Sequence, residues 1–466
     1  MLFNSVQFLV FFAAVFVVYW HLPRRGQNLF LLAASYLFYG AWNWKFLGLI
    51  LTTTVADYAA ALIIANNPHR PMRRRVALAS ALAVNLGILG FFKYYNFFVE
   101  DVVGLVQLLG MDYLAPVLPI VLPVGISFYT FQSMSYTLDT WHGRLKPTPR
   151  FTDYALFVSF FPQLVAGPIE RAPHLLGQIE RPRAPRREQM GEGLLLLCLG
   201  LFKKVAVADH LGQFVDTALG QQTGWKLLIA LYFFSFQIYC DFSGYSDIAR
   251  GAARLLGFDL RTNFNRPYFA RSLTEFWRRW HISLSTWFRD YVYTPLGGRH
   301  APGYWPYANL MIVFLLSGLW HGAAFTFLIW GALHGGLLAA EKALAGWRKG
   351  HHEPPHGLNP RNLVAVFVTF HVVTAAWVFF RAPDLPFALD VFARLAAPAD
   401  RPLAGLMPLA HGLGGLALLL LWEGFEDGWR RWLANPWRAL PAACAVLLFT
   451  LLWGKLNGGQ FIYFQF

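Results

Sequence analysis

Charged side chains are scarce in this sequence, and their scarcity limits the kind of protein it encodes. Of its 466 residues only 14% are Asp, Glu, Lys or Arg, whereas a soluble domain carries roughly 25%. Hydrophobic residues make up 56% of the chain and aromatic residues 17%. A water-soluble fold could not bury so much apolar surface, and a disordered chain would be far more polar. The composition predicts an all-α integral membrane protein with around ten or a dozen crossings, at ~20 residues per crossing.

Cysteines and common catalytic motifs are also lacking. The three cysteines, Cys198, Cys240 and Cys444, lie far apart, so neither a disulfide framework nor a cysteine metal site is expected. There is no Walker A loop, no GxGxxG after a strand and no GxSxG motif. This argues against ATP hydrolysis, a dinucleotide site and a serine-hydrolase triad. We expect neither a metal nor a bound cofactor.

Acidic residues are the scarcer charge, with 25 Asp and Glu against 39 Lys and Arg and a net charge of +14. The basic residues lie in short gaps between apolar runs, as cytoplasmic loops of membrane proteins do, so we expect no nucleic-acid partner. The loop 381–401 balances Arg and Asp and is expected outside, and 1–23 is expected to be a retained first helix. Both termini are then periplasmic. The basic gaps expected in the cytoplasm are 69–75, 144–150, 181–187, 348–349 and 430–431.

Neither a linker nor a tandem repeat divides the chain, so we expect one polytopic membrane domain over residues 1–466. Pro116, Pro119 and Pro123 interrupt one of the apolar runs. Broken helices are tolerated at membrane depth only inside protein or beside a water-filled cavity. This favours an enzyme or a transporter with an interior site over a simple anchor.

A basic and aromatic segment at 275–298 is too charged to cross a membrane freely and too aromatic to lie in water. We expect it at the cytoplasmic interface. If it is helical, one stripe carries Trp277, Trp280, His281, Leu284 and Phe288. The basic residues beside that stripe are Arg278, Arg279 and Arg289, with Trp287 nearby. Two interpretations remain open: positive-inside charge with an aromatic belt, or a docking site for an anionic acyl donor such as coenzyme A.

Residues 300–340 contain no Asp, Glu, Lys or Arg, yet His321 lies in the middle, between Gly318 and Gly322. The glycines allow a helix break or a close backbone approach. An ionisable side chain at membrane depth is a candidate functional residue, although a hydrogen-bonded structural histidine is the alternative. One histidine can serve as general base toward an acceptor hydroxyl while a second orients it. His334, in the same run, is expected to be structural.

At these residues the sequence resembles the membrane-bound O-acyltransferase (MBOAT) family, most closely the bacterial branch that acetylates alginate and peptidoglycan. The resemblance covers roughly residues 1–381 and is looser beyond. Besides 275–298, it rests on motifs in family order: ILGFFKYYNFF (88–98), LPVGISFYTFQSMSYTLD (122–139), FFPQLVAGPIER (160–171), YCDFSGYSDIARGAARLLGF (239–258) and LLSGLWHGAAFTFLIWGALHG (315–335).

The resemblance implies a multi-pass fold with a ring of tilted and re-entrant helices around a tunnel, entered by cytoplasmic and outer funnels. The core would occupy about 100–381, followed by C-terminal helices and an aromatic tail at 402–466. The family's catalytic histidine falls on His321 and its second active-site histidine on His281. Trp320 and Asp241 are further candidates for the tunnel. The implied donor is acetyl-coenzyme A from the cytoplasm, and the implied acceptor is a periplasmic partner of the SGNH type that acetylates a polysaccharide.

The tail carries a second expectation. A relative that transfers D-alanyl groups works with a small subunit that ends in an aromatic, tyrosine-containing tail, and residues 461–466 (FIYFQF) resemble such a tail. Tyr463 is therefore a candidate acyl relay, with anchoring in an aromatic belt as the alternative. Two rivals remain for the whole chain: acetylation of peptidoglycan or another cell-wall glycan, and a membrane transporter or flippase.

Overall fold

The computed structural model describes residues 1–108, 118–165, 167–347, 359–399, 406–433, 435–455 and 461. Over these residues the regular structure is helical, without strands. The all-α prediction is thereby confirmed. The helices are α1 (Val6–Trp20), α2 (Arg24–Asn43), α3 (Leu47–Asn66), α4 (Pro71–Leu108), α5 (Ile126–Trp141), α6 (Phe151–Ser159), α7 (Phe161–Leu164), α8 (Ala172–Ile179), α9 (Arg187–Leu201), α10 (Asp209–Gln221), α11 (Gly224–Leu255), α12 (Leu273–Arg279), α13 (Ile282–Phe288), α14 (Trp305–His321), α15 (Phe325–Trp347), α16 (Pro360–Arg381), α17 (Leu385–Leu395), α18 (Leu406–Gly424), α19 (Glu426–Leu433) and α20 (Pro436–Trp453).

Several helices have the length and apolar character needed to cross a membrane. Within the described part of the chain, four segments meet both conditions, and two shorter apolar helices lie near the ends. A span of ~20 residues is the usual requirement. The four segments are Arg24–Asn66, Pro71–Val99, Gly224–Leu255 and Pro360–Arg381, and the two shorter helices are Val6–Trp20 and Trp437–Trp453.

The chain forms two compact units. One comprises residues 1–193 with 249–261, and the other comprises 194–248 with 262–466. The single polytopic domain expected from the sequence stays a prediction, as do the ring, the funnels and the tunnel.

The first unit encloses a carboxylate that is fully satisfied by neutral partners. Asp57, on α3, is completely buried. Asn85 of α4 donates to its Oδ2 over 2.6 Å, and Thr137 of α5 donates to its Oδ1 over 2.5 Å. A buried charge is costly without such donors. Asp57 therefore joins three neighbouring helices through hydrogen bonds.

Glycines set the packing of α14 against α15 in the second unit. A Cβ added at Gly318 or at Gly331 would meet a backbone carbonyl of the other helix, Phe327 or Phe314 respectively, at a distance under 3.0 Å. Only glycine permits backbones to approach so closely. Gly322 caps the C-terminal end of α14, and a Cβ there would overlap the Phe327 ring. Both expected roles of the glycines around His321, close approach and helix termination, are confirmed.

Replacing Gly331 by alanine is expected to destabilise this unit strongly. The new methyl group would overlap the carbonyl of Phe314, a backbone atom that cannot rotate away, and overpacking of this kind costs about 1–3 kcal/mol. Gly336→Ala is the matched control, since a Cβ there would lie 3.8 Å from Met311 Cε, an ordinary contact on the same helix. Thermal unfolding in detergent should show a large loss for Gly331→Ala alone. Equal midpoints for the two variants would contradict the packing argument.

Candidate active site

His321 is the last residue of α14 and lies in the interior, 5% exposed. Three aromatic rings surround its imidazole at nearly perpendicular angles. The ring centroids lie 4.9 Å away for Trp320, 5.1 Å for Trp330 and 5.1 Å for Phe380. Three helices, α14, α15 and α16, therefore hold this ring in place. Such packing fixes a side chain without supplying a competing charge.

The position of His321 at a helix end also affects its chemistry. The 17-residue helix α14 ends at this residue, and the C-terminal end of a helix carries partial negative charge. That charge stabilises a cation formed on the imidazole. A histidine placed there can accept a proton from a substrate hydroxyl, because the imidazolium it becomes is favoured by the helix.

His281 lies in the break between α12 and α13. The prediction of a single helical stripe over 275–298 is therefore wrong. Its backbone has a φ of 43°, in the left-handed region, so the helix ends at Arg279 and resumes at Ile282. The side chain is fully buried. His281 is outside the candidate membrane spans, and burial lowers the pKa of its imidazole to about 3. The ring is therefore neutral at physiological pH.

Asn263 fixes the orientation of His281. The backbone N–H of Ser283 donates to Asn263 Oδ1 over 3.2 Å, which identifies that atom as the amide oxygen. His281 Nδ1 lies 3.2 Å from the same oxygen. Nδ1 must therefore carry the proton, and Nε2 is the basic nitrogen of the ring. Sequence reasoning missed Asn263, because 18 residues separate it from His281 and no local motif marks it.

Trp320 brings the two histidines into one cluster. Its ring centroid lies 5.8 Å from that of His281 and 4.9 Å from that of His321. On the other side of His321, Trp330 contacts the fully buried His334 at 4.9 Å. The sequence candidates His281, Trp320 and His321 therefore meet through aromatic contacts, and their role as a catalytic group stays a prediction.

Trp277 of α12 and Trp280, just after the end of α12, lie in the interior. Trp277 donates its indole N–H to His334 Nδ1 over 3.3 Å, so a side chain 57 residues away is the hydrogen-bond partner of His334. Trp280 is 1% exposed and packs against Trp377 at 5.1 Å. Both tryptophans thus belong to the aromatic packing around the histidine cluster.

The three arginines proposed for the donor differ in their surroundings. Arg279 forms an ion pair with Glu275 at 2.5 Å, and Arg289 forms one with its neighbour Asp290 at 2.8 Å. Arg278 is exposed and makes no ion pair with any described residue. Of the three, Arg278 is the guanidinium left available to an anionic ligand.

Asp241 belongs to a buried ion-pair network. Lys204, itself almost fully buried, is 2.8 Å from Asp241 and 2.8 Å from Asp209. The lysines at 203 and 204 inside an apolar run could have indicated this network from sequence, because a buried cation requires a carboxylate partner. The tunnel role of Asp241 stays a prediction, and Tyr463 lies outside the described residues.

Replacing Asn263 by alanine is expected to lower kcat about tenfold or more, because His281 loses the partner that sets its tautomer. Asn309→Ala is the matched control. Asn309 is also 1% exposed, and its amide donates to the Leu296 carbonyl over 2.9 Å. Both variants lose side-chain hydrogen bonds of a buried asparagine, but only Asn263→Ala should reduce turnover in protein corrected for folded fraction. Similar turnover in the two variants would contradict the tautomer argument.

Most of this chain matches a known protein family and several curated relatives. The model of the membrane-bound O-acyltransferase family matches residues 29–381. A probable alginate O-acetylase of Azotobacter vinelandii is 40% identical over 450 residues, covering 96% of this chain and 88% of the relative. Its counterpart in Pseudomonas aeruginosa is 43% identical over 396 residues (84% and 74%). A peptidoglycan O-acetyltransferase of Helicobacter pylori is 37% identical over 427 residues (84% and 79%). The chain therefore belongs to the membrane-bound O-acyltransferase family and is a membrane acyltransferase.

Proposed function

We propose that this protein transfers acetyl groups from cytoplasmic acetyl-coenzyme A across the bacterial inner membrane, for O-acetylation of an alginate-type exopolysaccharide. The observation that carries the proposal is the cluster of His281, Trp320 and His321 inside a chain that is 40% identical to a probable alginate O-acetylase. Both termini are proposed to be periplasmic, and a periplasmic partner of the SGNH type is proposed to deliver the acetyl group to the polysaccharide.

The chemistry assigned to His321 is general base catalysis of acyl transfer. The acceptor hydroxyl loses its proton to the imidazole as its oxygen forms a bond to the thioester carbonyl carbon. The bond from that carbon to sulfur then breaks, and the imidazolium returns the proton to the leaving thiolate. His281, neutral and oriented by Asn263, offers Nε2 toward the reacting groups. A donor thioester supplies the acetyl group, so the step needs no serine nucleophile.

The donor is proposed to approach Arg278. Its guanidinium can bind the phosphates of coenzyme A with two parallel hydrogen bonds, which a lysine matches less well. We expect Arg278→Ala to raise the KM for acetyl-coenzyme A about tenfold with little change in kcat. The KM of the wild-type protein should also rise with ionic strength. Arg289→Ala, which removes a guanidinium already paired with Asp290, is the control. An unchanged KM for Arg278→Ala would remove Arg278 from the donor site.

The acceptor is proposed to be Tyr463, which would carry the acetyl group to the partner. Support comes from Phe461, two residues earlier, which is fully buried and stacks on Tyr245 with ring centroids 4.3 Å apart. Tyr245 and Phe461 belong to the same unit as the two histidines.

A purified protein in liposomes tests the proposed function directly. It should consume acetyl-coenzyme A and acetylate a polysaccharide when the periplasmic partner is present, but it should not use a D-alanyl carrier protein. The peptidoglycan O-acetyltransferase of H. pylori among the relatives makes peptidoglycan the second candidate acceptor. Parallel assays with alginate-type oligosaccharides and with peptidoglycan fragments separate the two. Transport of substrate without acyl transfer would overturn the proposal.

A further inference from the structure

Lys455, just after α20, is hydrogen-bonded to an irregular turn of another helix in the same unit. Residues Phe202–Ala208 form a π-helical turn, in which the backbone N–H of Asp209 bonds to the carbonyl of Lys204, five residues earlier. The return to ordinary helical bonding in α10 skips the next carbonyl, that of Val205. The backbone N–H of Lys455 donates to this carbonyl over 3.1 Å. The π-turn thus provides a hydrogen-bond acceptor for the backbone of Lys455, which follows α20.

Two further hydrogen bonds join α10 to the end of α20 and to Lys455. His210 Nε2 donates to the carbonyl of Trp453 over 3.0 Å, and Lys455 Nζ donates to Gln213 Oε1 over 3.2 Å. Gly454 lies so close to Val205 that an added Cβ would come within 2.7 Å of its side chain. The chain therefore leaves α20 along the surface of the π-turn and α10 in a fixed direction.

A second attachment lies at Phe461. Its ring is fully buried, stacks on Tyr245 at 4.3 Å and contacts Phe242 at 5.7 Å. Phe242 in turn packs edge-on against His281, with ring centroids 4.7 Å apart. Tyr245 has a charged neighbour as well, since Lys204 Nζ lies 6.0 Å from its ring. Phe461 therefore packs against Phe242, the ring that contacts the His281 imidazole.

We infer that Phe461 is a positioning residue of the acyl-transfer site, which acts on His281 through Phe242. The inference rests on the proposed function only in taking His281 as a site residue. Truncation of Phe461 leaves a cavity behind Phe242. Phe242 can then move away from His281, and the imidazole loses one of the contacts that define its angle.

Attachment is tested without an activity assay. Phe461→Cys in a Cys444→Ser background should react with a water-soluble maleimide at less than about a tenth of its rate in denatured protein. Adding Lys455→Pro removes the N–H that bonds to Val205 and should restore rapid labelling. The φ of −82° and ψ of 156° at Gly454 accommodate a following proline. Lys455→Ala keeps the N–H and should stay slow. Rapid labelling of the parent variant, or no effect of Lys455→Pro, overturns the attachment.

The positioning role is tested by kinetics. Phe461→Ala should lower kcat about tenfold with the KM for acetyl-coenzyme A within about twofold, and Phe461→Leu, which refills the cavity, should recover most of kcat. A kcat equal to wild type for Phe461→Ala, or a rise in KM that accounts for the loss, overturns the role. Failure of the proposed function is distinguishable, since it would appear as acetyl transfer that survives His321→Ala while the labelling results stand.

Discussion

Replacement of His321 by alanine is expected to abolish acetyl transfer, with a loss of about a hundredfold to ten-thousandfold, the usual contribution of a general base. The physical reason is the site of the imidazole: nearly buried, enclosed by three aromatic rings, and placed at the C-terminal end of α14 where its protonated form is stabilised. The measurement is the turnover of acetyl-coenzyme A by purified variant in liposomes, compared at equal amounts of folded protein.

Two other histidines serve as references for that experiment. His281→Ala should lose less activity than His321→Ala, because His281 supports the base and does not replace it. His371 of α16, whose ring bonds to the Tyr232 hydroxyl at 2.7 Å, is expected to be structural, and His371→Ala should turn over normally. Near-normal turnover by folded His321→Ala would remove His321 from the chemistry. A His281→Ala protein indistinguishable from wild type would remove His281 from the site.

Replacement of Tyr463 by phenylalanine is expected to prevent delivery of acetyl groups to the periplasm. The variant keeps an aromatic ring at position 463 but removes the phenol oxygen that is proposed to carry the acetyl group. A phenol has a pKa near ~10 and is a weak nucleophile at neutral pH, so it requires a base such as His321. Once formed, a phenyl ester is a good acyl donor, which suits an intermediate that passes its acetyl group to a partner's serine.

The readout is the acetyl-ester content of the polysaccharide made by cells that carry Tyr463→Phe at normal protein level. Tyr304→Phe, at a tyrosine that is 67% exposed, controls for loss of a surface phenol and should leave acetylation intact. Full O-acetylation with Tyr463→Phe would refute the relay and return residues 461–466 to an anchoring role.

The amino-acid sequence predicted those features that depend on composition and on local spacing. Scarce charge and long apolar runs are enough to indicate a helical membrane protein, and Gly318 and Gly322 around His321 indicated both the close approach and the end of α14. These inferences succeed because a glycine acts on its own backbone, and because membrane burial requires a continuous apolar stretch.

The features that sequence analysis missed depend on partners distant along the chain. The stripe drawn through 275–298 assumed a continuous helix, whereas the left-handed backbone of His281 interrupts it. Nothing in a periodic pattern indicates a positive φ at a histidine. The role of Asn263, the bond between Trp277 and His334, and the contact of Phe461 with Tyr245 all join residues separated by more than a turn of helix. Spacing rules cannot detect such pairs.

The single asparagine that orients His281 has a consequence for how this sequence can change over time. Asn263 also caps α13 from outside the helix: its backbone carbonyl accepts from Ile282 N–H, and its Oδ1 accepts from Ser283 N–H. The left-handed backbone of His281, which costs roughly 1 kcal/mol, is held in place by those same bonds. Positions 263 and 281 are therefore energetically coupled. Lineages should exchange them together or leave both alone, since a change at 263 alone removes the side-chain bonds to His281 and to Ser283 N–H while the strained backbone at 281 remains.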